Sequence, residues 1–155
     1  GLTDARRSRC AVSQRPAQIT RRLEFDAGHR LLQHESKCRN LHGHRYALEL
    51  TCEALQLDAV GRVVDFGVLK AKVGGWLDDR LDHGYIGQTG DPILEATRAA
   101  GCKVYEVDFP PTAEHLAAHL FEIAQGLLGR ELRVVRVRLY ETPNGWADFP
   151  CLGGS

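Results

Sequence analysis

The chain has 155 residues, 43% of them hydrophobic and 26% charged, with equal numbers of basic and acidic side chains. That length suits one domain with a core of its own, and the balance excludes a wholly disordered chain. No apolar run is long enough for a membrane span, and the first residues lack the apolar stretch of a signal peptide.

The neutrality hides an asymmetry. Residues 1–22 hold six Arg and one Asp, a net of +5, and the remainder carries −5. A basic arm over residues 1–17 is expected, preceding a single domain over 18–155. Such an arm can bind nucleic acid. The body, however, has no basic stripe interleaved with aromatics, so the expectation is a solvated tail with neither a nucleic-acid nor a membrane partner. The five cysteines are odd in number and form no Cys-x-x-Cys motif. This favours reduced thiols in a cytoplasmic protein.

After the arm, Leu23, Phe25, Ala27, His29 and Leu31 alternate with polar residues, the period of a half-buried strand. A polar loop over 32–41 leads into a second alternation, in which His42, His44, Tyr46, Leu48, Leu50 and Cys52 share one face. The segment 57–61 reads as a turn. From Asp65, a plausible N-cap, the period becomes helical through Phe66, Leu69, Val73, Trp76 and Leu77, with Gly74-Gly75 weakening the helix without ending it. Residues 81–111 read as mostly irregular, with a short helix near 92–100 and a short strand near 103–107. Thr112 caps a second long helix with Leu116, Leu120, Ile123, Ala124 and Leu127 on its apolar stripe and Gly129 at its end. A strand over 132–141 places Val135, Val137 and Leu139 on one face with Glu141. Asn144-Gly145 then turns the chain into a last strand near 146–149. Strands and helices in separate blocks predict an α+β fold, an antiparallel four-stranded sheet with two helices on one face.

His42-Gly43-His44 places two imidazoles on one strand face, about 7 Å apart at roughly 3.3 Å rise per residue. His29 lies on the matching face of the preceding strand. If the two strands pair around the 32–41 loop, three neutral imidazoles with an open fourth position converge, the donor set of catalytic zinc. His115 and His119, one helical turn apart, form a competing pair with no evident third ligand. Cys38, flanked by Lys37 and Arg39, lies four residues before His42. It could be a base, a nucleophile, a fourth metal ligand or an inert loop thiol. Asp82-His83 pairs a carboxylate with an imidazole it can orient. Glu141 closes an apolar strand face, where a buried carboxylate needs an Arg or a ligand with N–H donors beside it.

Phe25-Asp26-Ala27-Gly28-His29-Arg30-Leu31 and Lys37-Cys38-Arg39-Asn40-Leu41-His42-Gly43-His44 carry a family resemblance. So do Val64-Asp65-Phe66, Leu81-Asp82-His83, Pro111-Thr112-Ala113-Glu114 and Tyr140-Glu141-Thr142, in that order. The sequence resembles the 6-pyruvoyltetrahydropterin synthase / 6-carboxytetrahydropterin synthase family over residues 19–149. The resemblance implies a tunnelling (T-) fold, assembled as a homo-oligomeric barrel from trimers or a hexamer with active sites between subunits. It implies Zn²⁺ on His29, His42 and His44, Cys38 as catalytic base and Asp82 and His83 as a proton relay. It also implies a small-molecule pterin substrate held by Glu141, with Thr112 and Glu114 lining its pocket. The spacing from Cys38 to His42 resembles bacterial 6-carboxytetrahydropterin synthases of the 7-deazapurine and queuosine pathway, which act on 7,8-dihydroneopterin triphosphate. A 6-pyruvoyl synthase or a non-catalytic zinc-containing pterin-binding protein are the alternatives. The stretch from Gly87 to Phe109 is longer than in compact bacterial members.

Overall fold

The structure is a computed structural model that describes residues 17–151. The expected basic arm, apart from Ala17, and Cys10 lie outside the described residues.

The first two strands, β1 (Gln18–His29) and β2 (His42–Glu53), form a long antiparallel hairpin whose register runs from Gln18–Glu53 to His29–His42. The core face is the one read from the sequence, although β1 stops at His29, short of Leu31, and Ala47, Thr51 and Glu53 on the other face of β2 are buried as well. Leu23, Phe25, Ala27 and His29 are buried on β1, and Tyr46, Leu48, Leu50 and Cys52 on β2. The connecting loop holds one helical turn at Lys37–Arg39 and is closed by Leu31 N–H donating to Cys38 O at 2.9 Å.

Helix α1 covers residues 66–80. It runs as Phe66–Leu69, a wider π-helical turn at Lys70–Gly74 and Gly75–Arg80, so the paired glycines do not end it. Asp65 caps it, accepting from Gly67 N–H at 2.7 Å. Leu69, Val73, Leu77 and Leu81 form its buried stripe, one residue per turn. Then come β3 (Gly84–Gln88), α2 (Pro92–Ala99), β4 (Val104–Val107), α3 (Ala113–Leu128), β5 (Arg133–Thr142) and β6 (Gly145–Phe149). Thr112 caps α3 by accepting from His115 N–H, and Gly129, at φ 78°, ends it.

The expected four antiparallel strands are a six-stranded mixed sheet, ordered β4-β3-β1-β2-β5-β6. β1, β2, β5 and β6 are antiparallel, whereas β3 lies parallel to β1 and β4 parallel to β3. The reason is connectivity. β4 follows β3 through α2, a helical crossover that returns the strand in the same direction, whereas α1 carries the chain from β2 to the far side of β1 and leaves β3 antiparallel to β2 and so parallel to β1. The expected short helix and short strand are α2 and β4, but β3, with glycine at two of its five positions, shows no alternation to read. Among the described residues, α2 thus stands beside the two long helices, α1 and α3. On β5, a bulge opposite Thr51 and Cys52 shifts the parity, so Val134 is buried where Val135 was expected, before Val137 and Leu139 resume the pattern.

The core lies between this sheet and helices α1 and α3. Among the described residues, no helix is long and apolar enough to cross a membrane.

Candidate active site

The hairpin register sets the site. His29 is paired with His42, and Ala27 with His44, so the three imidazoles stand on the core face at the loop end of β1–β2. Their ring centroids lie 4.6, 5.0 and 5.1 Å apart, and one nitrogen from each falls within 4.8 Å of the others. Gly43 sits between the two β2 histidines where the strands close tightly; a Cβ there would lie 3.1 Å from Ala27 O.

Two carbonyls decide which nitrogens face inward. His29 Nδ1–H donates to Pro111 O at 2.9 Å, and His42 Nδ1–H donates to Asn40 O at 2.7 Å. A carbonyl only accepts, so both rings present an unprotonated Nε2. His29 Nε2 lies 3.1 Å from His44 Nε2. Burial, with the neighbouring imidazoles, pushes His29 down to about 4, although the Pro111 hydrogen bond opposes it. Burial also lowers His44. Neutral imidazoles with inward lone pairs, oriented by backbone acceptors, fit a borderline-soft divalent ion such as zinc.

Glu141, one step beyond the last β2–β5 pair at Ala47–Tyr140, stands beside this triad, with its carboxylate 4.0 Å from His44 Nε2. Burial raises its carboxyl first, and the charge of Glu114 in the first turn of α3 adds to that. Among the described residues its charged neighbour is His44, and no Arg or Lys pairs with it. Thr112, the α3 cap, directly follows the carbonyl that holds His29. His29, His42, His44, Glu141, Glu114 and Thr112 thus gather around one end of the sheet.

Asp82 and His83 form a pair of their own. Asp82 Oδ2 accepts from His83 Nδ1–H at 2.7 Å, and Asp82 Oδ1 from Asp26 N–H at 2.8 Å. Burial pushes the Asp82 carboxyl up, but these hydrogen bonds and the His83 and Lys103 charges outweigh it and hold it low. His83 is 77% exposed. It joins His44 in lining a cleft of about 390 Å³, floored by Gly28 and Gly43. Cys38, half-buried, lies on the helical turn of the loop that precedes His42.

The competing pair holds no metal cluster among the described residues. His119 Nε2 hydrogen-bonds the Tyr105 hydroxyl, and His115 Nδ1–H donates to Pro110 O. Cys52 is core, as its place on the β2 face predicts, and burial raises its thiol to about 11.

Sequence reasoning missed Tyr46. Its ring edges against His29 and His44 and stacks on Phe25, and it is fully buried. Its hydroxyl has no hydrogen-bond partner among the described residues. Burial, and after it the Glu141 charge, push the phenol well above its ordinary value. The parity that runs through His42 and His44 reaches Tyr46 next, so the signal was present.

A mixed sheet backed by helices is also the architecture of solved 6-pyruvoyl tetrahydropterin synthases that superpose on this chain. The Caenorhabditis elegans 6-pyruvoyl tetrahydropterin synthase superposes with a TM-score of 0.65 at 22% identity, covering 88% of this chain and 96% of that one. An uncharacterized protein from Wolinella succinogenes superposes at 0.74 and 24% identity, covering 86% and 97%. The sequence pattern of the 6-pyruvoyl tetrahydropterin synthase family matches residues 18–150. The chain belongs to this family. Among its relatives, the 6-carboxy-5,6,7,8-tetrahydropterin synthase of Rickettsia bellii is 46% identical over 135 residues, 84% of this chain and 98% of the relative.

Proposed function

We propose that the chain is a zinc-dependent 6-carboxy-5,6,7,8-tetrahydropterin synthase. It converts 7,8-dihydroneopterin triphosphate and one water into 6-carboxytetrahydropterin, acetaldehyde and triphosphate, a lyase reaction that feeds 7-deazapurine and queuosine synthesis. The observation that carries this reading is the imidazole triad with Glu141 beside it. The name borne by the 46%-identical relative supports the choice of product.

His29, His42 and His44 would hold the ion. When bound there, zinc supplies Lewis-acid polarisation of the substrate's side-chain oxygens and acidifies the adjoining C–H and O–H groups. Glu141 accepts from the 2-amino and N3–H edge of the pterin ring, a charge-assisted pair of hydrogen bonds that orients the side chain toward the triad. Thr112 and Glu114 line the same pocket. Cys38 takes a proton as the thiolate. His83, whose Nδ1–H is committed to Asp82, keeps Nε2 free to exchange a proton on the other side. The protein works as a homo-oligomer built on trimers, in the cytoplasm, where free cysteines such as Cys38, Cys52, Cys102 and Cys151 stay reduced.

The test is incubation of the zinc-loaded protein with dihydroneopterin triphosphate and identification of products by mass. The 6-carboxy product with acetaldehyde is expected; a 6-pyruvoyl product, or none, overturns the reading. Cys38→Ala should keep stoichiometric zinc and lose turnover, whereas loss of zinc would make Cys38 a ligand instead. His42→Ala should lose the zinc.

A further inference from the structure

We propose that Lys103, in the segment between α2 and β4, is a positioning residue that sets the Asp82–His83 pair. The inference rests on the relay role given to that pair above.

The pair sits in a tight turn. After α1, Asp82 N–H donates to Leu77 O at 2.9 Å, and Gly84 N–H to Leu81 O at 2.9 Å. His83 has φ 61°, the left-handed region that a residue with a Cβ avoids. Such a conformation persists where the surroundings over-determine it. On one side the restraint is β1: His83 N–H donates to Asp26 O at 2.7 Å, and Asp26 N–H donates back to Asp82 Oδ1 at 2.8 Å.

On the other side the restraint is Lys103. Its ammonium donates to Asp82 O at 2.7 Å and to Asp78 O at 3.0 Å. Those carbonyls lie at the C-terminal end of α1, where helix acceptors lack partners and a cation is favoured. The Asp82 carbonyl belongs to the peptide bond that enters His83. Pinning it fixes the dihedral that throws the imidazole outward. The Lys103 stem crosses Gly84, where a Cβ would lie 3.2 Å from Cγ and Cδ, and its own carbonyl accepts from Tyr85 N–H at 3.1 Å. One residue therefore brackets His83 and Gly84 from both sides.

Lys103 is anchored in turn. The residue after it, Val104, pairs with Tyr85 as β4 begins. The Tyr85 hydroxyl donates to the buried Asp91 at 2.5 Å. Asp91 also accepts from Arg30 Nε at 3.1 Å and caps α2 through Ile93 N–H at 2.9 Å. The stretch from Gly87 to Phe109 is thus the brace that carries Lys103 to the turn.

The experiment uses the zinc-loaded full chain with Lys103→Met, Lys103→Arg, His83→Ala and the Lys103→Met/His83→Ala double variant. Lys103 is exposed, so Lys103→Met keeps its stem and should fold; thermal melting confirms it. Lys103→Met is expected to leave zinc content and KM unchanged while kcat falls roughly ten- to a hundredfold, the scale of a small misplacement of a reacting group. Lys103→Arg, which still offers two donors, should recover most of the loss. In the His83→Ala background, Lys103→Met should cost nothing further, because coupled residues are non-additive. The same factor in both backgrounds, or an unchanged kcat, overturns the proposal. A second readout does not need turnover. Imidazole ¹H–¹⁵N spectra should show the Nδ1–H of His83 protected in the wild type and exchanging in Lys103→Met. An unchanged His83 spectrum overturns the positioning role. A changed spectrum in a protein that turns nothing over upholds it and removes the proposed reaction instead.

Discussion

Burial keeps the His29 imidazole neutral in the fold, at about 4 against an ordinary value of 6.5. The unfolded chain takes up a proton there as pH drops below 6.5, while the folded chain does not until about 4. Its contribution to stability is therefore complete above 6.5 and is lost as pH falls from there toward 4. Melting of the metal-free protein across that window should decline more steeply for wild type than for His29→Leu; parallel declines would assign the loss to other groups. At Glu141, replacement by Gln keeps the size, removes the charge and turns one acceptor into a donor. Hydrogen bonds to charged groups contribute about 1.5–3 kcal/mol, so pterin affinity, measured by titration, should weaken roughly ten- to a hundredfold. Zinc content should hold. Equal affinities for the two proteins would withdraw the anchoring role.

At the scale of elements, β3, α2 and β4 are joined by close packing. A Cβ on Gly87 would meet Leu94 Cβ, Leu94 Cδ1 and Tyr85 Cε1 at 2.9 Å, and Leu94 is fully buried. Gly87→Ala should thus destabilise the protein by about 1–3 kcal/mol in urea unfolding, the usual cost of overpacking. An unchanged midpoint would mean that Leu94 can turn aside. This region is also where sequence reading stopped short. The long hairpin was legible because twelve-residue strands with one buried face must alternate, and that face carried the three histidines directly. β3 was not legible, because five residues with two glycines carry no period and its partner, β1, is separated from it in the chain by β2 and α1. The bulge on β5 was hidden for a related reason: it depends on the partner strand, and no local propensity announces it. Asp82–His83 was legible as an adjacent pair, but its dependence on Asp26 and Lys103 joins residues far apart in the chain.

Among the described residues of the molecule, the sheet ends in two strands with unpaired outer sides, β4 and β6. Open edges invite pairing with another chain, which proteins manage by covering them. The proposed homo-oligomer covers them with further copies. Light scattering of the full chain should then give a trimer or a hexamer; a monomer would remove the shared-site arrangement. The sheet's outer face is already charge-compensated within the chain: Arg22 meets Glu24 and Glu49, Arg45 meets Glu24 and Asp26, and Arg138 meets Asp148. Each exposed pair adds little stability, so this ladder bears on solubility and on which surfaces can meet.

The latch between His29 and Pro111 spans 82 residues of sequence, whereas the three imidazoles all lie on one hairpin. If β1 and β2 zip together before α3 docks, the two halves of the site form at different stages of folding. A hairpin closes in microseconds, and an ion could meet its three ligands as soon as β1 and β2 zip together. The carbonyl that commits the His29 tautomer arrives only when α3 docks. An early-bound ion would accordingly exchange with solvent faster than one bound to the finished fold, and the docking of α3 would be the moment at which the ion becomes slow to leave.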